Sequence, residues 1–279
     1  MQTPSLIIVA PNGARRTKAD HPALPITPAE MVDEVAACAA AGAAMVHLHA
    51  RDSAGRHSLA IADNAAMLQQ VNDQLGDQIV VQLTTEAVGI YQPEQQMQLI
   101  RELQPEAASF ALRELVPDET WLDRGAEFFG WVRNQGILAQ YILYSADDLT
   151  RYFALLDQGV LPADGHHLLF VLGRYSQDQQ SSPQELLPFL QRITERATST
   201  APWALCAFGQ QEQQCLAAAC SLGGDARVGF ENNLLRSDGS QASSNAEQVA
   251  QLKQTVLSMG RELHDADSLR QFYGLQRLL

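Results

Sequence analysis

The chain has 279 residues, of which 46% are hydrophobic and 18% are charged. That length suits one large domain or two small ones, and that apolar content excludes a largely disordered chain. The formal net charge of −13, from 19 basic and 32 acidic residues, argues against nucleic acid as a partner, because nucleic-acid binding depends on clustered Lys and Arg.

The N-terminal segment and the cysteines predict a cytoplasmic protein. No apolar run of about 18 residues is present, so we expect no membrane span. The first 13 residues lack the basic and long apolar regions of a signal peptide. The four cysteines have no CxxC spacing, so we expect reduced thiols at Cys38, Cys206, Cys215 and Cys220.

Short apolar runs alternate with amphipathic stretches along the chain. The apolar runs predict eight β-strands, at residues 6–10, 45–50, 79–85, 107–112, 138–144, 168–173, 203–208 and 226–231. The stretches that follow predict helices at residues 28–41, 61–74, 93–103, 120–134, 145–157, 182–194, 210–222 and 244–260. A last short helix is predicted at residues 266–273.

This alternation predicts the fold class. Nearly continuous apolar strands that are separated by helices indicate a parallel sheet with its outer face covered. Eight strand–helix units of about 35 residues each predict a (β/α)8 TIM barrel, as a single domain over residues 1–279. A doubly wound open sheet is the alternative, but its first strand would be followed by GxGxxG, whereas this chain has Pro11-Asn12-Gly13-Ala14-Arg15.

The second predicted strand carries two histidines on one face. Side chains alternate along a strand, so its apolar residues face the helices while His47, His49 and Arg51 face the barrel mouth. The pair predicts two ligands of one metal ion, and the alternative is a pair of hydrogen-bonded core histidines. His166 and His167 are expected just before the sixth strand, at the end of the barrel away from the chemistry.

The eighth predicted strand supplies a third candidate ligand. Arg227, Gly229 and Glu231 share its inward face, whereas Val228 and Phe230 are expected to face the helices. Two histidines and a glutamate leave coordination positions open, as in catalytic zinc sites, although iron(II), manganese or cobalt also suit this set. Such a metal polarises a carbonyl oxygen or a bound water. Arg227 is expected either to lie near developing negative charge or to form a buried ion pair.

Polar residues at other strand ends predict contacts with a substrate. Thr84 and Ser109 offer hydroxyls for substrate oxygens, and the alternative is local capping of backbone groups. Several basic residues lie at or just after strand ends and predict a positive basin that attracts a small anionic substrate. They are Arg15, Arg16, Lys18, Arg51, Arg113, Arg174 and Arg227.

Six segments run in a recognisable order along nearly the whole chain: APNGARRTKADHPALPITPAE, AGAAMVHLHARDSAGRHS, VVQLTTEAVG, LLFVLG, ARVGFENNL and SNAEQV. In this order they resemble the β-keto acid cleavage enzyme family, whose founding activity is 3-keto-5-aminohexanoate cleavage. The resemblance implies a TIM barrel with one Zn²⁺ ion, in a homo-oligomer that is a tetramer or a dimer. It also implies a reaction in which a β-keto acid and acetyl-CoA give acetoacetate and a new acyl-CoA.

The resemblance implies roles for single residues. It assigns the metal ligands to His47, His49 and Glu231, the set that strand alternation also selects. With the residues discussed above, it leads us to expect a catalytic set of Arg227, Thr84, Ser109 and Asn232. We expect a substrate-binding set of Asn12, Arg15, Arg51 and Arg113.

Three positions that are usually acidic in the family differ here. Asn232 stands where an aspartate usually follows the metal-binding glutamate, Ile142 stands at a glutamate position, and Arg15 replaces an acidic residue. An amide hydrogen-bonds but cannot carry the charge that stabilises a guanidinium. These differences predict a divergent member. They leave open a metal-dependent lyase or hydrolase of a small carboxylate that needs no CoA, and a barrel that binds an anionic metabolite without turnover.

Overall fold

A computed structural model describes residues 3–196 and 201–277. Eight parallel strands pair in chain order, and the first pairs with the last, so the sheet closes into a barrel. The predicted TIM barrel is therefore confirmed, and the doubly wound sheet is excluded. The strands are Ile7–Val9 (β1), Met45–Leu48 (β2), Val80–Thr84 (β3), Ala107–Ala111 (β4), Leu138–Leu143 (β5), His166–Leu172 (β6), Trp203–Ala207 (β7) and Asp225–Val228 (β8).

Helices follow the strands and cover the barrel. In the described residues the α-helices are Pro28–Ala41 (α1), Ile61–Leu75 (α2), Pro93–Leu103 (α3), Leu112–Leu115 (α4), Leu122–Asn134 (α5), Ala146–Asp157 (α6), Leu187–Glu195 (α7), Glu212–Ser221 (α8), Asn245–Ser258 (α9) and Ala266–Tyr273 (α10). Short 3-10 helices span Glu119–Trp121, Gln177–Gln179 and Pro183–Leu186. The short helix α4 was not predicted, because its residues continue the apolar run of β4.

Local side-chain contacts explain where several helices begin. Thr27 caps α1: its side chain accepts from the backbone N–H of Glu30, and the Glu30 carboxylate accepts from that of Thr27. Together with Pro28 in the first turn, these contacts form a capping box at the helix start. Ser145 and Ser244 cap α6 and α9 in the same way, each through one hydrogen bond to the backbone.

Strand side chains divide between two apolar regions. Val46 and Leu48 belong to the large core between the strands and the helices, as predicted. Inward-facing residues such as Ile8 and Leu138 form a second cluster inside the barrel. The expectation that Phe230 faces a helix is wrong: β8 ends at Val228, and Phe230 packs beneath the loops in a small separate cluster.

The placement of one histidine pair differs from the prediction. His166 and His167 do not precede the sixth strand but are its first two residues, at the N-terminal end of the barrel. His166 points outward, and its Nε2 lies 2.7 Å from the Tyr152 hydroxyl. His167 points inward, and its Nε2 lies 3.1 Å from Oδ2 of Asp225. The two rings thus face opposite ways, as strand alternation requires.

Two further features agree with the composition. The four cysteines are free and buried. Within residues 3–196 and 201–277, none of the helices combines the length and the apolar character that crossing a membrane requires. The closed barrel supports our proposal that residues 1–279 form one domain.

Gly229 ends β8 in a conformation that other residues rarely adopt. Its φ is +139°, and a Cβ added there would lie 2.4 Å from the backbone oxygen of Ala10. Because the obstruction is backbone, the segment that carries Glu231 would have to move. We expect Gly229→Ala to lower the free energy of unfolding by about 2 kcal/mol or more, measured by urea denaturation.

Gly130 provides a matched control. It lies inside α5, and a Cβ added there meets nothing within 4 Å. We expect Gly130→Ala to leave stability unchanged or to raise it by up to about 1 kcal/mol, because glycine weakens a helix interior. Equal losses of unfolding free energy in Gly229→Ala and Gly130→Ala would show that position 229 tolerates a Cβ as well as an open helix position does.

Candidate metal centre and active-site cavity

His47, His49 and Glu231 converge at the C-terminal mouth of the barrel. The two Nε2 atoms of the histidines lie 3.0 Å apart. Oε2 of Glu231 lies 3.2 Å from Nε2 of His49 and 3.6 Å from Nε2 of His47. Both histidines are buried, and the glutamate side chain is 15% exposed. Strand alternation predicted this convergence, and the structure places the three side chains together.

The spacing of these three atoms fits a single divalent cation. In a tetrahedral zinc site with bonds of about 2.0–2.1 Å, ligand atoms lie about 3.4 Å apart, and the three observed separations bracket that value. Among the described residues, Oε2 of Glu231 has no hydrogen-bond partner although it is buried. Buried carboxylate oxygens normally have partners, so this oxygen is suited to a bound cation.

A hydrogen bond orients His47 as a metal ligand. Its Nδ1 lies 2.7 Å from Oε1 of Gln82, which can only accept. His47 therefore donates from Nδ1 and presents the lone pair of Nε2 to the cavity. Burial lowers the pKa of His47 to about 3, so the ring is neutral near pH 7, as metal binding requires.

Arg227 forms a salt bridge with the other carboxylate oxygen of Glu231. Its Nη2 donates to Oε1 of Glu231 at 2.8 Å, and the guanidinium is buried. Burial opposes its charge, but Cys206 and Glu231 raise the pKa of Arg227 above its ordinary value. Burial likewise opposes the charge of Glu231, but Arg227 and the two histidines hold the pKa of Glu231 well below its ordinary value. Both groups therefore remain ionised.

A cavity that is partly open to solvent lies in front of this centre. Seven of the predicted site residues line it: Asn12, Arg15, His47, His49, Thr84, Arg227 and Glu231. Four others lie outside its lining in the part of the chain that the structure describes: Arg51, Ser109, Arg113 and Asn232.

Two of the predicted arginines are occupied elsewhere. Arg51 donates to the backbone oxygens of Gly13, Arg16 and Gly55, so it holds the loop after β1 in place. Arg113 lies on α4 and pairs with Asp148 at 2.5 Å. Its position follows from the end of β4 at Ala111, because strand alternation no longer applies within a helix.

Ser109 and Asn232 are buried beside the cavity. Ser109 pairs with Thr84 across β3 and β4, and its hydroxyl has no hydrogen-bond partner among the described residues. Both side-chain amide atoms of Asn232 also lack partners there, while its backbone oxygen accepts from Arg16 at 3.3 Å. Thr84 lines the cavity and also caps the backbone, since it accepts from the N–H of Glu86 at 3.1 Å.

The cavity also contains charged residues outside the predicted catalytic, substrate-binding and metal-binding sets, namely Arg16, Glu86, Glu114 and Arg174. Of these, Arg16 and Arg174 belong to the predicted positive basin. Arg174 pairs with Glu86 at 3.3 Å. The Glu114 carboxylate accepts from the backbone N–H of Ala87 at 3.0 Å, and burial raises the pKa of Glu114. Their position in the sequence could have identified them, because each follows the end of a predicted strand.

A closed parallel barrel with charged and metal-ligating side chains at its C-terminal mouth defines a TIM-barrel enzyme with a candidate metal centre. Comparison with known proteins identifies the enzyme family: the pattern of the beta-keto acid cleavage enzyme family matches residues 4–275. The chain belongs to this family, and the resemblance predicted from the sequence is confirmed.

Curated relatives cover almost the whole chain. A 3-keto-5-aminohexanoate cleavage enzyme of Fusobacterium nucleatum is 27% identical over 296 residues, covering 98% of each chain. A 3-oxoadipate:acetyl-CoA acetyltransferase of Cupriavidus necator is 28% identical over 280 residues, covering 99% of this chain and 96% of the relative. The protein is thus an enzyme of a family that includes acetyl-CoA transferases. The predicted homo-oligomer and cytoplasmic location stay predictions.

A solved structure supports the fold. The binary complex of ObcA with oxaloacetate superposes with a TM-score of 0.71 at 19% identity, and the match covers 91% of this chain and 68% of that one. A type I 3-dehydroquinate dehydratase from Clostridium difficile gives a TM-score of 0.58 at 8% identity. Identities this low establish a shared barrel and nothing about the chemistry.

Metal content tests the candidate centre. We expect protein equilibrated with Zn²⁺ to retain one ion per chain in elemental analysis, because three ligand atoms converge at bonding distances from one point. His49→Ala and Glu231→Gln should retain almost none at the same free Zn²⁺ concentration.

His57 offers a control for these variants. Its ring centre lies 5.2 Å from that of His49, but its Nε2 contacts the backbone oxygen of Glu86 at 2.9 Å, so it is not part of the ligand set. We expect His57→Gln to retain one ion per chain. Full metal retention by Glu231→Gln would show that the ion lies elsewhere.

Proposed function

We propose that this protein is a zinc-dependent β-keto acid cleavage enzyme that uses acetyl-CoA as its co-substrate. The bond between C2 and C3 of the keto acid breaks, and C2 becomes bonded to the acetyl carbonyl carbon. The released acyl group joins the CoA sulfur, so the products are acetoacetate and a new acyl-CoA. The convergence of His47, His49 and Glu231 in front of a cationic cavity, in a member of this family, carries the proposal.

His47, His49 and Glu231 would hold the ion, with the cavity on its open side. A bound zinc ion acts as a Lewis acid toward carbonyl and carboxylate oxygens. Two imidazoles and one carboxylate suit zinc, and the same ligand set accepts other divalent metals.

Arg227 acts as a fixed positive charge. Its salt bridge with Glu231 orients the guanidinium, and its raised pKa prevents it from taking up a proton as a base. A preorganised cation of this kind stabilises negative charge that develops on a substrate oxygen. The buried ion pair expected for Arg227 is present, and its fixed charge suits stabilisation and orientation of a substrate, not proton transfer.

Thr84 and Glu114 add polar groups to the cavity. Because the Thr84 oxygen already accepts from the backbone of Glu86, its own proton is available for a substrate oxygen. Positions 15, 142 and 232 are usually acidic in the family but carry no carboxylate here, and Glu114 supplies one to the cavity. Burial raises the pKa of Glu114, which favours proton exchange at this carboxylate.

The charge of the cavity supports an anionic substrate. Arg227 and Arg174 pair with glutamates, but Arg15 and Arg16 make no ion pair with any residue that the structure describes. Both line the cavity, and Arg16 donates to a backbone oxygen. Two guanidinium groups that have no carboxylate within salt-bridge distance among the described residues attract a second acidic group on the substrate, or the phosphates of CoA. The relative that acts on 3-oxoadipate is consistent with an acidic β-keto acid.

A metal-dependent lyase or hydrolase that needs no CoA is the alternative. The observation that favours it is the apolar Ile142 in the cavity lining together with the uncharged Asn232. If acyl transfer depends on carboxylates at these positions, the centre keeps its metal but changes its reaction.

An activity assay distinguishes the two functions. We expect zinc-loaded protein to form acetoacetate and a new acyl-CoA in equal amounts from acetyl-CoA and at least one member of a panel of mono- and dicarboxylic β-keto acids. Arg227→Gln should lower kcat/KM by about 100- to 1000-fold, the usual effect of removing one charge-stabilising donor. Its metal content is measured in parallel, so that loss of the ion is not mistaken for loss of the charge.

The same assay without acetyl-CoA is the control. Consumption of a keto acid at an undiminished rate in its absence would support the lyase or hydrolase. No acetoacetate from any member of the panel, with one zinc ion bound per chain, would contradict the proposed function.

A further inference from the structure

A chain of side-chain hydrogen bonds crosses the barrel interior, starting at the metal ligand His47. Beyond the contact of His47 with Gln82, Nε2 of Gln82 donates to Oε1 of Gln140 at 3.3 Å. Nε2 of Gln140 lies 2.8 Å from Nδ1 of His167. Nε2 of His167 lies 3.1 Å from Oδ2 of Asp225. Four hydrogen bonds thus connect the candidate metal centre to a carboxylate at the N-terminal end of β8.

The barrel is built to accommodate this chain. Its members face inward from β2, β3, β5, β6 and β8, and the strands between them contribute small side chains, namely Ala107 and Ser109 from β4 and Ala204 from β7. Gln82 pairs in register with Ala107 of β4, and Asp225 pairs with Ala204 of β7. Small side chains at these two places leave room for the links that span β4 and β7. His47, Gln82, Gln140 and His167 are each 1% exposed or less, so water cannot readily replace a lost partner.

The chain has a defined direction, which Asp225 sets. An ionised carboxylate only accepts hydrogen bonds, and the backbone N–H of Leu6 donates to its Oδ1 at 2.7 Å. A neutral His167 therefore carries its proton on Nε2, which leaves Nδ1 to accept from the amide nitrogen of Gln140. Reversing any single link would place two donors or two acceptors against each other.

The same logic continues to the metal ligand. The oxygen of Gln140 accepts from the amide nitrogen of Gln82, so the oxygen of Gln82 must face His47. His47 then carries its proton on Nδ1 and keeps the lone pair on Nε2. That nitrogen is the one that lies beside His49 and Glu231.

We propose that Asp225, His167 and Gln140 are positioning residues that fix the tautomer of His47 for metal binding. This inference rests on the metal centre of the proposed function. None of the three lines the cavity or belongs to the candidate ligand set, and their effect passes through the amide of Gln82. Hydrogen-bond partners of metal-binding histidines raise metal affinity by fixing the tautomer and the orientation of the ring. In this protein the partners that fix the tautomer extend across the barrel.

The tautomer of His47 in the metal-free protein is the direct readout, from long-range ¹H–¹⁵N correlation NMR of the histidine rings. We expect wild-type protein to show His47 protonated on Nδ1. Asp225→Asn offers an N–H to His167 and so permits every link to reverse. We expect it to give a substantial fraction of His47 protonated on Nε2, and to weaken Zn²⁺ binding by about 10- to 100-fold.

A second substitution should rescue the first. Gln140→Glu places an acceptor-only carboxylate beside the amide nitrogen of Gln82, so that amide is held in its original orientation whatever the group at position 225. We expect the double variant Asp225→Asn/Gln140→Glu to restore protonation of His47 on Nδ1. A merely structural role for Asp225 predicts no such rescue.

His166→Asn is the matched control, because His166 is buried on the same strand but points outward to Tyr152. It should leave the tautomer of His47 and the affinity for Zn²⁺ unchanged. Gln140→Met cuts the chain without adding or removing a charge, and it tests the proposal if Asp225→Asn does not fold. An unchanged His47 tautomer in whichever of these chain variants folds would overturn the proposal. Since this readout needs neither metal nor substrate, it remains valid even if the proposed reaction is wrong.

Discussion

The convergence of three polar side chains on one point is the constraint on which the active site depends. Two imidazole nitrogens and one carboxylate oxygen lie within 3.0–3.6 Å of one another at the barrel mouth, and the carboxylate oxygen has no hydrogen-bond partner among the described residues. A divalent cation would coordinate the lone pairs of all three groups. The salt bridge between Arg227 and Glu231 orients the carboxylate. The hydrogen bond between Gln82 and His47 orients the imidazole, so both lone pairs face the same point.

Strand alternation made the fold and the metal ligands predictable. Eight apolar runs at regular spacing specify the barrel, and a period of two places His47 and His49 on its inner face. Prediction failed where the chain leaves a strand. At Gly229 the backbone turns, so Phe230 packs under loops, and at Leu112 a helix begins, so Arg113 lies outside the described cavity lining and pairs with Asp148. The backbone contacts of Arg51 were not predictable either, because only tertiary structure brings its acceptors near. The substrate-binding roles of both arginines stay predictions.

The interior polar residues show a second limit of prediction from sequence. Gln82, Gln140 and His167 are isolated polar residues within apolar strands, and His167 lay at the end of the barrel that carries no chemistry. Their connection depends on strand register and on the small side chains of Ala107 and Ala204 between them. The enzyme combines a candidate metal centre with a cavity that contains Glu86 and Glu114, although positions 15, 142 and 232 are not acidic.

Zinc K-edge X-ray absorption of the metal-loaded protein reports on the atoms that bind the ion. We expect a first shell of nitrogen and oxygen atoms at about 2.0–2.1 Å, with multiple-scattering features from two imidazoles, and the loss of one imidazole in His49→Ala. A sulfur shell at about 2.3 Å, which would implicate a cysteine, or a spectrum that His49→Ala leaves unaltered, would contradict this expectation.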